Sequence, residues 1–248
     1  MQPKWITFLK YDPLTPLQST KNPAIRFFIE RDLLDNKDLS VEMLWTLPEV
    51  ERILRKQQSD GSWPDKNKKK HVNSPTNYAM LETYRTLRVL VECYGLNKDH
   101  TAIQRAADFM FTTQTPIGDF RGIYGTQYSM NYSGGILEFL VKAGYTQDAR
   151  IDRAFKWFIS LQQNDGGWVL PVQVAGLSSF KSDEWMQRST VEAFEPTQSS
   201  SHTVTGIVIR AFANHPKYRQ TPEAHKAADF LVSRFFKSDK YSFRQHQS

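Results

Sequence analysis

Residues 154–168 read A-F-K-W-F-I-S-L-Q-Q-N-D-G-G-W. The first half has helical spacing, with Ala154, Trp157, Phe158 and Leu161 on one face. The second half ends that helix: Asn164 and Asp165 lead into Gly166 and Gly167, which can adopt the positive φ that closes a helix C-terminus. Trp168 follows at once, a large ring on a short tether. The same order recurs upstream as Q-Q-S-D-G-S-W, from Gln57 to Trp63, and more loosely as Q-T-P-I-G-D-F, from Gln114 to Phe120. The copies begin at Gln57, Gln114 and Gln162, 57 and then 48 residues apart, near the period of helical-hairpin repeats. One such match arises by chance; three in register make this a repeat protein.

The stretches between the copies share one pattern: a polar loop, a long apolar helix, a short turn, then an amphipathic helix ending in Gln, Gly and an aromatic. Apolar helices are predicted over 76–94, 129–143 and 201–213, and amphipathic ones over 101–113, 148–161 and 222–236. R-A-A-D-F-M-F-T-T-Q (105–114) aligns without gaps with K-A-A-D-F-L-V-S-R-F (226–235). The last unit therefore belongs to the series, with Phe235 in place of the Gln and Tyr241 as its aromatic, the degeneracy expected of a terminal repeat. Residues 1–21 read as an arm that Pro13 and Pro16 keep from forming a long helix, anchored by Trp5, Ile6, Phe8 and Leu9. Asn22-Pro23 then opens a helix with a stripe of Ile25, Phe28, Ile29 and Leu33, and Pro48 opens one carrying Val50, Ile53 and Leu54. The expected organisation is an arm (1–21) and a single repeat domain (22–248), interrupted by an insertion at about 169–198.

Composition narrows the function classes. Strand signals are poor, aromatics reach 13%, and 248 residues bury a large core, so the class is all-α. A net charge of +6 is modest, and the cluster of Lys66, Lys68, Lys69, Lys70 and His71 lacks the aromatic or Gly-rich company of a nucleic-acid site. It reads as a solvated loop, and no nucleic-acid partner is expected. The single cysteine, Cys93, excludes an internal disulfide and, within V-L-V-E-C-Y-G-L, is expected to be a buried thiol. With no signal-peptide core and no run of eighteen apolar residues, a cytoplasmic protein without a transmembrane segment is expected.

The chemistry of the repeated element points to stapling. A helix ends with four carbonyls lacking partners, and a Gly beyond the end satisfies some of them. A Gln amide can tie that end to the start of a neighbouring helix, while an indole covers the amide and still finds an acceptor for its N–H.

The spacing Gln57-x3-Gly61-x-Trp63, repeated at Gln162-x3-Gly166-x-Trp168 and more weakly at Gln114, Gly118 and Phe120, resembles the QW repeat of the squalene cyclase and protein prenyltransferase superfamily. The resemblance covers roughly residues 22–243. The opening N-P-A-I-R-F-F-I-E-R-D-L-L followed by Q-x-x-D-G-S-W looks most like the short prokaryotic members of that group. It implies an α/α toroid of four to five helical hairpins, open or incomplete, with outer amphipathic helices around inner helices that line an apolar cavity. An open edge would favour a homodimer or a partner that closes the ring.

The resemblance also says which chemistry to look for. Class II cyclases protonate their substrate with a D-x-D-D run, and this sequence has none. Protein prenyltransferases bind zinc through an Asp, a Cys and a His. His202 in S-S-S-H-T-V-T-G-I resembles the His element, but the matching earlier segment G-T-Q-Y-S-M-N-Y supplies neither other ligand, and Cys93 has no D-x-C partner. No metal and no cofactor are therefore expected. In a toroid, the loops opening the inner helices point to the cavity mouth, which nominates Asn77, Tyr78, Tyr124, Gln127, Tyr128, Asn131, Tyr132, Ser201, His202 and Thr203 as lining residues. Asp183, Glu184 and Trp185 in the insertion are the lid candidates.

Three functions follow from these readings. The first is a cyclase- or prenyltransferase-like protein that holds an isoprenoid or other apolar small molecule in its cavity, with catalysis left open. The second is a non-catalytic scaffold for a protein or peptide. The third and weakest is a polysaccharide-acting toroid enzyme using the acids Asp183, Glu184, Glu192 and Glu195.

Overall fold

The computed structural model describes residues 4–65, 77–169 and 194–237. The lysine cluster with His71, the lid candidates Asp183, Glu184 and Trp185, Glu192, and Tyr241 lie outside the described residues. Among those described, the only β features are three isolated bridges, and the fold is all-α. Its helices are α1 (Leu14–Gln18), α2 (Pro23–Phe28, continued by a π turn over Ile29–Leu33), α3 (Pro48–Leu54) and α4 (Tyr78–Arg88, continued by a π turn over Val89–Cys93). After them come α5 (Thr101–Thr112), α6 (Met130–Lys142), α7 (Ala149–Ser160), α8 (His202–Asn214) and α9 (Pro222–Arg234). Among the described residues three hairpins pair, α4 with α5, α6 with α7 and α8 with α9.

The helix starts are written in the sequence. Asn22, Asn77, Ser129, Asp148, Ser201 and Thr221 each accept a backbone N–H of the first turn, and Pro23, Pro48 and Pro222 open helices where no N–H is needed. Two rows result. The odd-numbered helices α3, α5, α7 and α9 form an outer row, and α4, α6 and α8 form an inner row packed side by side.

One hydrogen-bond scheme, used three times, joins the rows. Gln57 Nε2 donates to Gly61 O in its own turn (3.0 Å) and to Ala102 O at the start of α5 (2.8 Å). Gln114 does the same with Gly118 O and Arg150 O of α7, and Gln162 with Gly166 O and Glu223 O of α9. The backbone N–H of the aromatic then reaches an inner-helix hydroxyl: Trp63 to Thr83, Phe120 to Ser133, Trp168 to Thr205. Each indole donates back to a carbonyl near the end of its own outer helix, Trp63 to Ile53 O and Trp168 to Phe158 O, both at 2.9 Å. Outer helix is thus tied to outer helix, and each turn to an inner helix. This two-row repeat is the architecture of an α/α toroid.

The face of α4 carrying Glu82, Arg85, Thr86 and Val89 borders a pocket of about 380 Å³ shared with Ile53, Lys56 and Trp63. Helix α2 does not fill it. Phe28 and Arg31 lie instead at the C-terminal end of α4, across a second pocket of about 510 Å³ lined also by Val91, Glu92, Leu96 and Lys142.

Three sequence expectations are corrected here. Cys93 is exposed, not buried, because it is the last residue of the π turn, whose extra residue per turn rotates it off the apolar face set by Leu87 and Leu90. On α2 and its π turn the buried residues are Ala24, Phe27 and Ile29, while Ile25 faces solvent: the regular turn from Pro23 to Phe28 points Ala24 and Phe27 inward instead. The arm is held through Trp5, whose indole donates to Leu33 O, while Phe8 and Leu9 point outward.

The corner between α8 and α9 is fixed by an ionic contact. Asp152 on α7 accepts from Lys156, Lys217 and the Tyr218 hydroxyl, and these partners hold its carboxyl far below the ordinary carboxylate range. A depressed folded pKa contributes stability that is complete above the unfolded value of about 3.9 and is lost as pH falls toward the folded one. Asp152→Asn is therefore expected to melt below the wild type at pH 7, with the gap narrowing below about pH 4. Melts recorded from pH 7 to 2 check this, and a gap independent of pH would refute the ionic account.

Candidate functional site

The inner row has a face turned away from the staple residues Thr83, Ser133 and Thr205, and the groups that could handle a ligand collect there. Three helices contribute. From α4 come Tyr84 and, one turn on, Arg88 and then Glu92. From α6 come Tyr132, Gly135, Glu138 and Lys142, at the helical spacing that keeps them on neighbouring surface. From α8 come Gly206 and, one turn on, Arg210.

Small residues shape this surface. The Tyr84 ring lies directly on Gly135, where an added Cβ would meet its hydroxyl oxygen at 2.6 Å. Gly134 lets α6 approach α8, since a Cβ there would sit 3.3 Å from Val208 Cα. No described atom lies within 4 Å of a Cβ built on Gly206, so this glycine marks open space beside Arg210.

Rings and ions divide the face between them. Toward the inner-helix N-termini, Tyr84, Tyr132 and Tyr124 stand edge to face, with centroids 5.5 and 5.3 Å apart, and Phe139 extends the series behind Tyr84. Burial raises the pKa of Tyr84 and, more strongly, of Tyr124, which also has Tyr132 as a hydrogen-bonding neighbour. Both are neutral phenols at physiological pH.

Toward the C-termini an ion chain crosses all three helices, running Arg88–Glu92–Lys142–Glu138–Arg210 with separations of 3.0, 2.7, 2.7 and 2.9 Å. Glu138 is 1% exposed, and its two oxygens go to Lys142 and Arg210. Burial alone would raise the Glu92 carboxyl; hydrogen bonds from Lys142 and Arg88 pull it below the usual range instead. Against the effect of burial, hydrogen bonds to Glu138 and Glu92 raise Lys142. A carboxylate so paired is an anchor and not a proton donor.

The ten residues nominated as cavity lining do not stay together. Tyr124 and Tyr132 meet on the inner face, and Tyr78 is close enough to influence the titration of Tyr124. Asn77 and Ser201 are spent as N-caps, and Asn131 accepts from the Ser129 hydroxyl. Buried Tyr128 turns to the outer row and packs its ring edge against Trp157, while His202 does so against Phe230 of α9. Gln127 is buried, and Thr203 is exposed. Among the described residues, no group of three His, Cys, Asp or Glu could hold a metal ion, and no helix is long and apolar enough to cross a membrane. Sequence reasoning missed Tyr84, Glu138 and Arg210. The one visible signal was a lone acid inside the apolar run G-G-I-L-E-F-L-V-K, which a buried position obliges to find a partner.

The stapled rows and their inner face define an α/α-toroid repeat protein of the terpenoid cyclase kind. The family model for the squalene-hopene cyclase C-terminal domain matches residues 71–194, half of the chain, and the chain belongs to that family. Among solved structures it is similar to an apo variant of the type II terpene cyclase MstE from Scytonema, at 16% identity over 91% of this chain and 79% of that one, with a TM-score of 0.35. No curated protein matches.

Proposed function

We propose that this cyclase-like scaffold binds an isoprenoid or other apolar small molecule on the inner face of α4, α6 and α8. The observation that carries the reading is the edge-to-face series Tyr124–Tyr132–Tyr84 on a face where Gly206 leaves open space. A broad aromatic surface with few polar groups suits a flexible hydrocarbon, which gains by apolar burial while the rings fix its path. The two acids of this face are each shared between two cations, so the geometry supports holding a ligand more than protonating one. The same pairing leaves neither acid of this face free to carry the proton that a carboxylate-based glycosidase needs.

Native mass spectrometry of protein purified from its own cells tests the reading. A retained isoprenoid-sized lipid is expected in the wild type. Gly206→Phe, which adds a ring in the open space of the inner face, is expected to lose that lipid without a fall in melting temperature. A wild type that carries no lipid and takes up no farnesol on titration would reject the proposal.

A further inference from the structure

The ion chain on the inner face is unbalanced. It contains three cations, Arg88, Lys142 and Arg210, against two acids, Glu92 and Glu138. Lys142 spends two of its three donors bridging both carboxylates at 2.7 Å. The arginines spend fewer of theirs. Arg88 bonds Glu92 through Nε alone and Arg210 bonds Glu138 through Nε alone, so the terminal nitrogens of both make no hydrogen bond among the described residues. Both side chains are more than half exposed.

Position turns these spare donors into a site. Arg88 is one turn beyond Tyr84 on α4, and Tyr84 lies on Gly135, one turn before Glu138, which holds Arg210. The Tyr84 hydroxyl also makes no hydrogen bond among the described residues. Buried Glu138 grips the Nε side of Arg210 and so leaves its open edge to the face, beside the space at Gly206. Two guanidinium edges and a phenol are donors only toward an anion, and paired arginines favour planar carboxylates and phosphates. Burial raises the Tyr84 pKa, Arg88 and Arg210 both act to lower it, and Tyr132 and Glu138 act to raise it.

We propose that Tyr84, Arg88 and Arg210 receive the anionic head group, a carboxylate or a phosphate, of an amphiphile whose apolar body lies along Tyr132 and Tyr124. This deepens the apolar-ligand reading and rests on it. The aromatic end supplies a path for the tail, and the excess positive charge stands at the other end of the same face. The ligand class is therefore an isoprenoid-like acid or phosphate, and a neutral hydrocarbon leaves the arginine edges unused.

Calorimetric titration of the full chain with farnesol, farnesoate and farnesyl phosphate tests the proposal. At least one anionic probe is expected to bind tenfold or more tightly than farnesol, with the advantage shrinking as salt rises. Which one gains tells carboxylate from phosphate. Arg210→Gln is expected to remove the advantage by weakening the anionic probe far more than farnesol. Arg88→Gln gives the same readout without exposing the buried Glu138, should Arg210→Gln fail to fold. Equal affinity for all three probes, or an advantage that survives both substitutions, overturns the head-group site while sparing the apolar-ligand reading. Failure of every farnesyl probe to bind sinks that reading instead, and inorganic phosphate then decides the site: binding abolished by Arg210→Gln sustains it, and no binding overturns it.

Discussion

Trp168→Ala is expected to lower the unfolding free energy by about 3–5 kcal/mol, the usual cost of deleting a buried aromatic. The ring has no exposed surface, lies against Phe158 and Phe212, and donates its indole N–H to Phe158 O. The backbone bond from Trp168 N to Thr205 survives the substitution, so the loss measures the ring and not the turn. The second copy shows what the indole N–H contributes. There the aromatic is Phe120, and the equivalent carbonyl, Met110 O, accepts from the Thr113 hydroxyl at 2.7 Å instead. Residues in the position of Thr113 elsewhere are Lys56 and Leu161, which offer no such hydroxyl. Trp168→Phe should accordingly cost far less than Trp168→Ala, including about 1 kcal/mol for the hydrogen bond. Urea denaturation of the two variants checks the order, and an unchanged midpoint for Trp168→Ala would reject the stapling account.

The parts of this molecule legible in its sequence are those that repeat. A Gln, a Gly and an aromatic in register encode contacts within seven residues, plus one bond to the next outer helix, so Gln57, Gln114 and Gln162 announced both the fold and its connectivity. The inner face is a different kind of information. Glu138 and Arg210 are 72 residues apart, and nothing local to either says that α6 and α8 will bring them within 2.9 Å. The nominated lining residues are dispersed for a related reason. Placing Tyr128 and Tyr132 at one helix start could not tell which way each would turn, and four residues sufficed to send one to Trp157 and the other to Tyr84. Cys93 was misjudged where a π turn departs from the 3.6-residue period on which such reasoning depends.

Alanine at the staple glycines should be at least as damaging as loss of the tryptophan, and the three sites should rank by geometry. Each has positive φ, +88° at Gly61, +118° at Gly118 and +96° at Gly166, where a side chain costs about 1–2 kcal/mol before any contact is considered. Each also touches the next outer helix through backbone. A Cβ would stand 2.2 Å from Arg105 O at Gly61, 2.5 Å from Arg153 O at Gly118 and 2.7 Å from Lys226 O at Gly166. A carbonyl inside a helix cannot swing aside as a side chain can, so relief requires the outer helix to move away. At Gly61 that movement would stretch both bonds holding α3 to α5, Gln57 to Ala102 O and Arg105 to the Gln57 oxygen. The expected order of destabilisation is Gly61→Ala, then Gly118→Ala, then Gly166→Ala, with the first at about 3 kcal/mol or more on the scale of overpacking added to backbone strain. Gly206→Ala supplies the contrast. It lies inside α8 with an unstrained backbone and no described neighbour within reach, so it should stabilise by up to about 1 kcal/mol through helix propensity. Denaturant midpoints for the four variants decide the matter, because a Gly61→Ala protein as stable as Gly206→Ala would mean that the outer helices are not held at the close approach the staple requires.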